Sequence, residues 1–218
     1  MLSQAEKGGV QNTIQNCVTV LQNDPVLADS IRLNLLSERI DIVKPMGWQR
    51  SGPTLTDTDM MYILRRMEKY GLYSEKRVSA AIRIVANENH YHPIRDYLND
   101  LKWDGTERIS HALHRFLGAA EDELTAEALK IFLLGAIKRV FHPGCKFEMM
   151  LCLVGGQGAG KSSFFRLLAI KDEWFSDDLR RMDDDNVFRK LQGHWIMEMS
   201  EMIATANAKS IEEIKSFL

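Results

Sequence analysis

At 218 residues the chain is long enough for one large domain or two small ones, each with a core of its own. Hydrophobic residues make up 45% and charged residues 27%, and 28 basic against 30 acidic residues give a formal net charge of −2, which excludes a global basic field for nucleic acid and leaves only a local patch. Cys17, Cys145 and Cys152 show no CxxC spacing and no signal peptide leads the chain, which predicts reduced thiols in a cytoplasmic protein; the longest apolar runs, such as "IFLLGAI", fall far short of the roughly 18 residues a membrane span needs.

The opening "MLSQAEKGGVQNTIQN" is polar with paired glycines and predicts a flexible leading segment over residues 1–23, within which Thr13 to Leu21 can form a helix. Ile31, Leu33 and Leu35, then Ile40 and Ile42, alternate with other residues, the pattern of a short hairpin or of a strand beside irregular structure. From residue 56 the period becomes helical. "TDTDMMYILRRMEKYG" opens on Thr/Asp capping residues, carries Met60, Ile63, Leu64 and Met67 on one face and closes at Gly71. "SEKRVSAAIRIVANEN" repeats the plan, with Ser74 as cap and Val78, Ala81, Ile82 and Val85 as its stripe. "HPIRDYLNDL" puts Pro93 at the first helical position and Ile94, Tyr97, Leu98 and Leu101 on one face. "ERISHALHRFLG" does the same with Ile109, Ala112, Leu113 and Phe116 before a stop at Gly118.

These elements predict a mostly helical domain over residues 24–118. The polar "GAAEDELTAE" marks a boundary, and residues 119–218 form the second domain. Its first helix, "AEALKIFLLGAIKRVF", is apolar almost all round between Ile131 and Ile137, so it is expected to be buried.

"EMMLCLV" has the continuous apolar run of a strand buried on both faces of a parallel sheet. It leads into "GGQGAGKSS" and then "FFRLLA", with Phe164, Phe165, Leu167 and Leu168 at helical spacing. Strand, glycine loop and helix form the context that G-x-x-x-x-G-K-[ST] requires, here Gly155, Gly160, Lys161 and Ser162. A polyphosphate must be met by donors at about 3 Å, which backbone N–H groups supply only where side chains do not intervene. The whole loop, Gly155, Gly156, Gln157, Gly158, Ala159, Gly160, Lys161, Ser162 and Ser163, is therefore the candidate cradle for ATP. Lys161 would reach the β- and γ-phosphates, Ser162 would offer its hydroxyl to Mg²⁺, and the following helix would turn its positive end to the anion. The four fixed positions arise by chance in about 1% of chains this long, so a glycine-rich connection that binds nothing is the poorer reading.

Hydrolysis also needs carboxylates to hold the metal and orient water. "GHWIMEMSEM" supplies Glu198 inside an apolar strand formed by Trp195, Ile196, Met197 and Met199, with Glu201 at or just past its end. A charge in such a strand needs a partner, and Mg²⁺ is one. Two catalytic assignments are open, beside the plainer reading of an edge strand with solvated glutamates. Glu198 stands by the metal and Glu201 polarises water, which is favoured, or Ser200 and Glu201 take those parts and Glu198 is structural. The intervening "KDEWFSDDLRRMDDDNVFRKLQ" reads as a solvated acidic loop. His90, His92, His111 and His114 lack metal-ligand spacing, and Arg65, Arg66, Lys76, Arg77 and Arg83 read as a solvated helix face rather than a nucleic-acid site.

"YHPIRDYLNDLKWDGTERI", "HPGCKFEMMLCLVGGQGAGKSSFFRLLA", "WFSDDL" and "GHWIMEMSEM…IEEIKSFL" together resemble the virulence-associated protein E family of phage and mobile-island proteins, from about residue 24 onward. The resemblance implies an α/β fold, a P-loop NTPase core of the AAA+ class with a parallel sheet, similar to superfamily 3 helicases, behind a small helical domain. It further implies an ATP-driven helicase or helicase loader acting on DNA as a homo-oligomeric ring, with Lys161 and Ser162 on nucleotide and Glu198 or Glu201 as the acidic element. Such cores continue past "IKSFL" to a sensor residue and an arginine finger, so the expectation is an incomplete core with low turnover. Arg180, Arg181 and Arg189 match no finger motif. The alternative is a hydrolysis-deficient nucleotide-binding regulator that acts through protein partners.

Overall fold

The computed structural model describes residues 2–4, 8–179 and 187–199. They fall into two compact units, divided between Pro93 and Ile94. The division lies upstream of the polar break at 118/119, and the reason is packing: the helix that ends at Leu117 buries Leu113 against Leu129 and Phe164 of the second unit.

In the first unit α1 (Ile14–Asn23) is an inner helix, not part of a loose leader. Cys17, Val20 and Leu21 are buried on it. Thr13 caps it by accepting from the Asn16 N–H at 3.2 Å, and the Asn16 amide ties the preceding chain down through the Ser3 N–H and the Ser3 and Gln11 carbonyls. Of the two arrangements the alternating stretch allows, it forms the hairpin, β1 (Ile31–Asn34) and β2 (Arg39–Ile42), antiparallel with Ile31 opposite Ile42. Its turn is closed by Asn34 Oδ1, which accepts from the Leu36 and Ser37 N–H groups.

Helix α2 (Asp57–Met67) starts with a reciprocal capping box between Thr56 and Asp59. A short 3₁₀ turn then ends at Gly71, whose φ of 75° is a conformation that glycine adopts without strain. Helix α3 (Glu75–Glu88) buries Val78, Ala81, Ile82 and Val85, all four residues of its stripe, against α1 and the hairpin. Of the expected basic face, Arg66 is half-buried and paired. Its Nε donates to Asp24 Oδ1 at 2.5 Å, and the Asp24 side chain is 1% exposed.

The second unit begins at Ile94, one residue into α4 (Pro93–Asp100), and continues with α5 (Ile109–Leu117), which is stopped by Gly118 at φ 67°. Only Leu113 of the α5 stripe is buried, while Phe116 is exposed. Helix α6 (Glu123–Phe141) is capped by Asp122, which accepts from the Thr125 N–H at 2.8 Å. It is buried along one side only, at Leu129, Gly135 and Val140; Leu124 and Leu134 are 79% and 56% exposed. A helix apolar all round needs neighbours all round, and the described residues cover one flank.

Residues 148–154 are not a strand among the described residues. Leu151 and Leu153 turn into the core while Val154 is 79% exposed, so burial alternates where burial on both faces was expected. A central strand takes its hydrogen bonds from neighbours on either side, and the described strands pair with each other instead. These are β3 (Phe175–Ser176) and β4 (Ile196–Met197), parallel, with Phe175 opposite Ile196. β3 lies in the stretch read as solvated loop. Between the glycine loop and β3 runs α7 (Lys161–Leu168), and between β3 and β4 runs α8 (Val187–Leu191). Among the described residues no helix is long and apolar enough to cross a membrane.

Candidate functional site

The glycine loop enters α7 through two residues that require glycine, Gly158 at φ 79° and Gly160 at φ 84°, a region that side chains with a β-carbon rarely adopt. Gly160 is the residue before the first turn, so the α7 amides begin immediately after it. A β-carbon built on Gly155, Gly156 or Gly158 meets no atom within 4 Å. The loop is therefore open on that side, and Gly155, Gly156, Gln157, Gly158 and Ala159 are all exposed.

Lys161 folds back along the loop. Its Nζ donates to the Gly155 and Gly156 carbonyls, each at 2.8 Å, which holds the ammonium against the start of the glycine loop and leaves one of its three N–H donors over. Ser163 is exposed beside it, and Phe164 anchors α7 in the core with Leu113 and Leu129.

Ser162 points to the acidic strand. Its Oγ donates to Glu198 Oε1 at 2.7 Å across 36 positions of sequence. β4 brings Glu198 there: the Glu198 N–H donates to the Ser176 carbonyl at 2.8 Å and the Trp195 N–H to the Trp174 carbonyl at 2.7 Å, so the carboxylate leaves the ladder at its C-terminal end, where α7 begins. The second oxygen, Glu198 Oε2, is buried with no hydrogen-bond partner among the described residues. A buried carboxylate oxygen without a donor is costly. Beside a serine Oγ whose proton faces away toward Oε1, it completes a pair of oxygen donors of the kind Mg²⁺ takes. The residues present fit that ion.

The structure thus brings Lys161, Ser162 and Glu198 to one place. Glu201 and Ser200 lie outside the described residues, as do Arg180 and Arg181. Arg189 is exposed on α8. His111 and His114 engage Glu121 and the Ala119 carbonyl, and among the described residues no group of His, Cys, Asp or Glu could hold a metal through three ligands.

Sequence reasoning missed the supports. The Trp195 indole N–H donates to the Ala136 carbonyl of α6 at 3.2 Å. Trp195 also meets Trp174 edge-on at 6.3 Å, and Trp174 meets Tyr97 of α4 at 5.8 Å. Gly135, next to Ala136, lets the Phe147 ring lie where a β-carbon would stand. One signal for this was present: an isolated glycine inside an apolar helix marks a close approach.

No curated protein matches the chain. A family model described as the virulence-associated protein E-like domain matches residues 98–218, which is more than half of the sequence and takes in α5, α6, the glycine loop, α7 and both strands of the site. The chain belongs to the virulence-associated protein E-like domain family.

Proposed function

We propose that the second unit binds ATP with Mg²⁺ on the 155–163 loop and hydrolyses it, as the ATPase module of a phage- or island-encoded replication protein of helicase or helicase-loader type. The observation that carries the reading is the 2.7 Å bond from Ser162 to Glu198, because it joins the first turn after a glycine loop to a carboxylate strand far away in sequence. In this reading the loop amides and the positive end of α7 receive the phosphate oxygens. Lys161 exchanges the Gly155 and Gly156 carbonyls for the β- and γ-phosphates, and Ser162 and Glu198 hold Mg²⁺. The bound ion supplies charge neutralisation at the β- and γ-oxygens. Glu201 orients water. DNA and further copies of the chain, arranged as a ring, are the proposed partners.

The test is a melting experiment on the full chain. Mg·ATP should raise the melting temperature, since a ligand of the native state adds RT ln(1+[L]/Kd) to stability, and Lys161→Ala should abolish the rise. An equal rise in the variant removes the nucleotide assignment. A rise without phosphate release selects the regulatory alternative over the ATPase.

A further inference from the structure

Both halves of this site are fixed to one turn of α6. The segment leading to the loop is held where the Phe147 ring covers Gly135, with Arg139 Nη2 donating to the Phe147 carbonyl at 2.9 Å. The acidic strand is held one residue further along, where Trp195 Nε1 donates to the Ala136 carbonyl. A carbonyl has two lone pairs, so Ala136 can accept this bond beside its helical one.

What the indole bond supplies is register. β3 and β4 pair over two residues, and a ladder that short is marginal alone. A slip of one residue would move Glu198 by about 3.3 Å and turn its side chain to the other face, away from Ser162.

We propose that Trp195 is the positioning residue for Glu198: its N–H on Ala136 sets the register of β4, so that the carboxylate and the Ser162 hydroxyl stand together for the divalent cation that accompanies the nucleotide. This rests on the nucleotide reading above. Trp195 acts only through Glu198, which separates it from a general structural prop.

The test is calorimetric titration of the full chain with the nonhydrolysable analogue AMP-PNP over a range of Mg²⁺ concentrations. Trp195→Phe is one variant; the other carries benzothienyl-alanine at 195, an indole isostere that lacks only the N–H and so guards against a folding defect. Both are expected to bind the analogue without Mg²⁺ as the unaltered chain does, and to need roughly tenfold more Mg²⁺ for half of its enhancement. In a Glu198→Gln background the same changes should shift nothing further, because the carboxylate they act through is gone. An unchanged Mg²⁺ midpoint in the isostere overturns the proposal. So does an equal shift in the Glu198→Gln background. If the unaltered chain binds no analogue at any Mg²⁺ concentration, the parent reading falls and takes this proposal with it.

Discussion

Arg50 grips both carboxylate oxygens of Asp59, from Nε at 2.8 Å and from Nη2 at 3.3 Å. The same carboxylate accepts from the Trp48 indole at 2.7 Å and from the Thr56 N–H and hydroxyl at 2.9 and 2.8 Å, while Arg50 also donates to the Ile42, Pro53 and Thr54 carbonyls. The irregular chain from 43 to 55 is thereby tied to β2 and to the start of α2. Removing one member of a buried pair leaves the other charge uncompensated, so Asp59→Ala should cost about 3–5 kcal/mol, read in the unfolding of the first unit. Amide exchange across 44–55 should quicken together.

Acid should act on the same carboxylates. Burial alone would raise the Asp59 pKa, but the bonds from Arg50, Trp48 and Thr56 outweigh it and hold the group well below the ordinary carboxylate range. Asp24 is likewise lowered, its burial outweighed by Arg66, Tyr70 and the Val26 and Leu27 amides. A depressed folded pKa contributes stability that is fully present above the unfolded value, about 3.9, and is lost as pH falls through the folded one. The first unit should therefore melt progressively lower as pH drops below about 4. Asp59→Asn should flatten that dependence, checked by melting curves across the range.

Gly160 and Gly155 should separate backbone strain from ligand contact. Gly160→Ala forces a β-carbon into φ 84° and should cost about 1–2 kcal/mol of stability before any ligand is added. Gly155 has neither positive φ nor a neighbour within 4 Å of its β-carbon position, so Gly155→Ala should leave the melting temperature within a degree or two while weakening ATP binding, provided that the loop is the cradle. Denaturation and nucleotide titration of the two variants provide the comparison.

Glu198→Gln keeps an oxygen that can accept from Ser162 and removes the charge. With Mg·nucleotide bound as proposed, the expected outcome is unchanged binding of metal-free nucleotide, a Mg²⁺ enhancement that survives but needs roughly tenfold more Mg²⁺ for its midpoint, and turnover reduced roughly tenfold or more, measured by phosphate release.

The legible parts of the fold were those with local causes. Thr56 with Asp59, Pro93, Gly71 and Gly118 mark helix ends through their own hydrogen bonds or φ, and the Ile31 to Ile42 alternation encodes its hairpin through one buried face. β3 was not legible because two residues carry no period. The one-sided burial of α6 was hidden for another reason: hydrophobicity states what a helix can bury, while its neighbours decide what it does bury. At the site, Lys161 and Ser162 were readable from spacing, but the choice of Glu198 as the residue facing Ser162 depends on the β3–β4 register and on Trp195 reaching Ala136, 59 positions away. No local pattern carries such a contact.

The turn of α6 at Gly135 and Ala136 serves as a common origin for two measurements. The chain before the glycine loop is located from Gly135 and the carboxylate strand from Ala136, so a rigid displacement of the helix carries both by the same amount. Their separation, the quantity on which the Ser162 to Glu198 contact depends, is a difference from which shared motion cancels. A substitution that displaces only one of the two anchors, such as Gly135→Ala under Phe147, is the kind that this arrangement cannot absorb.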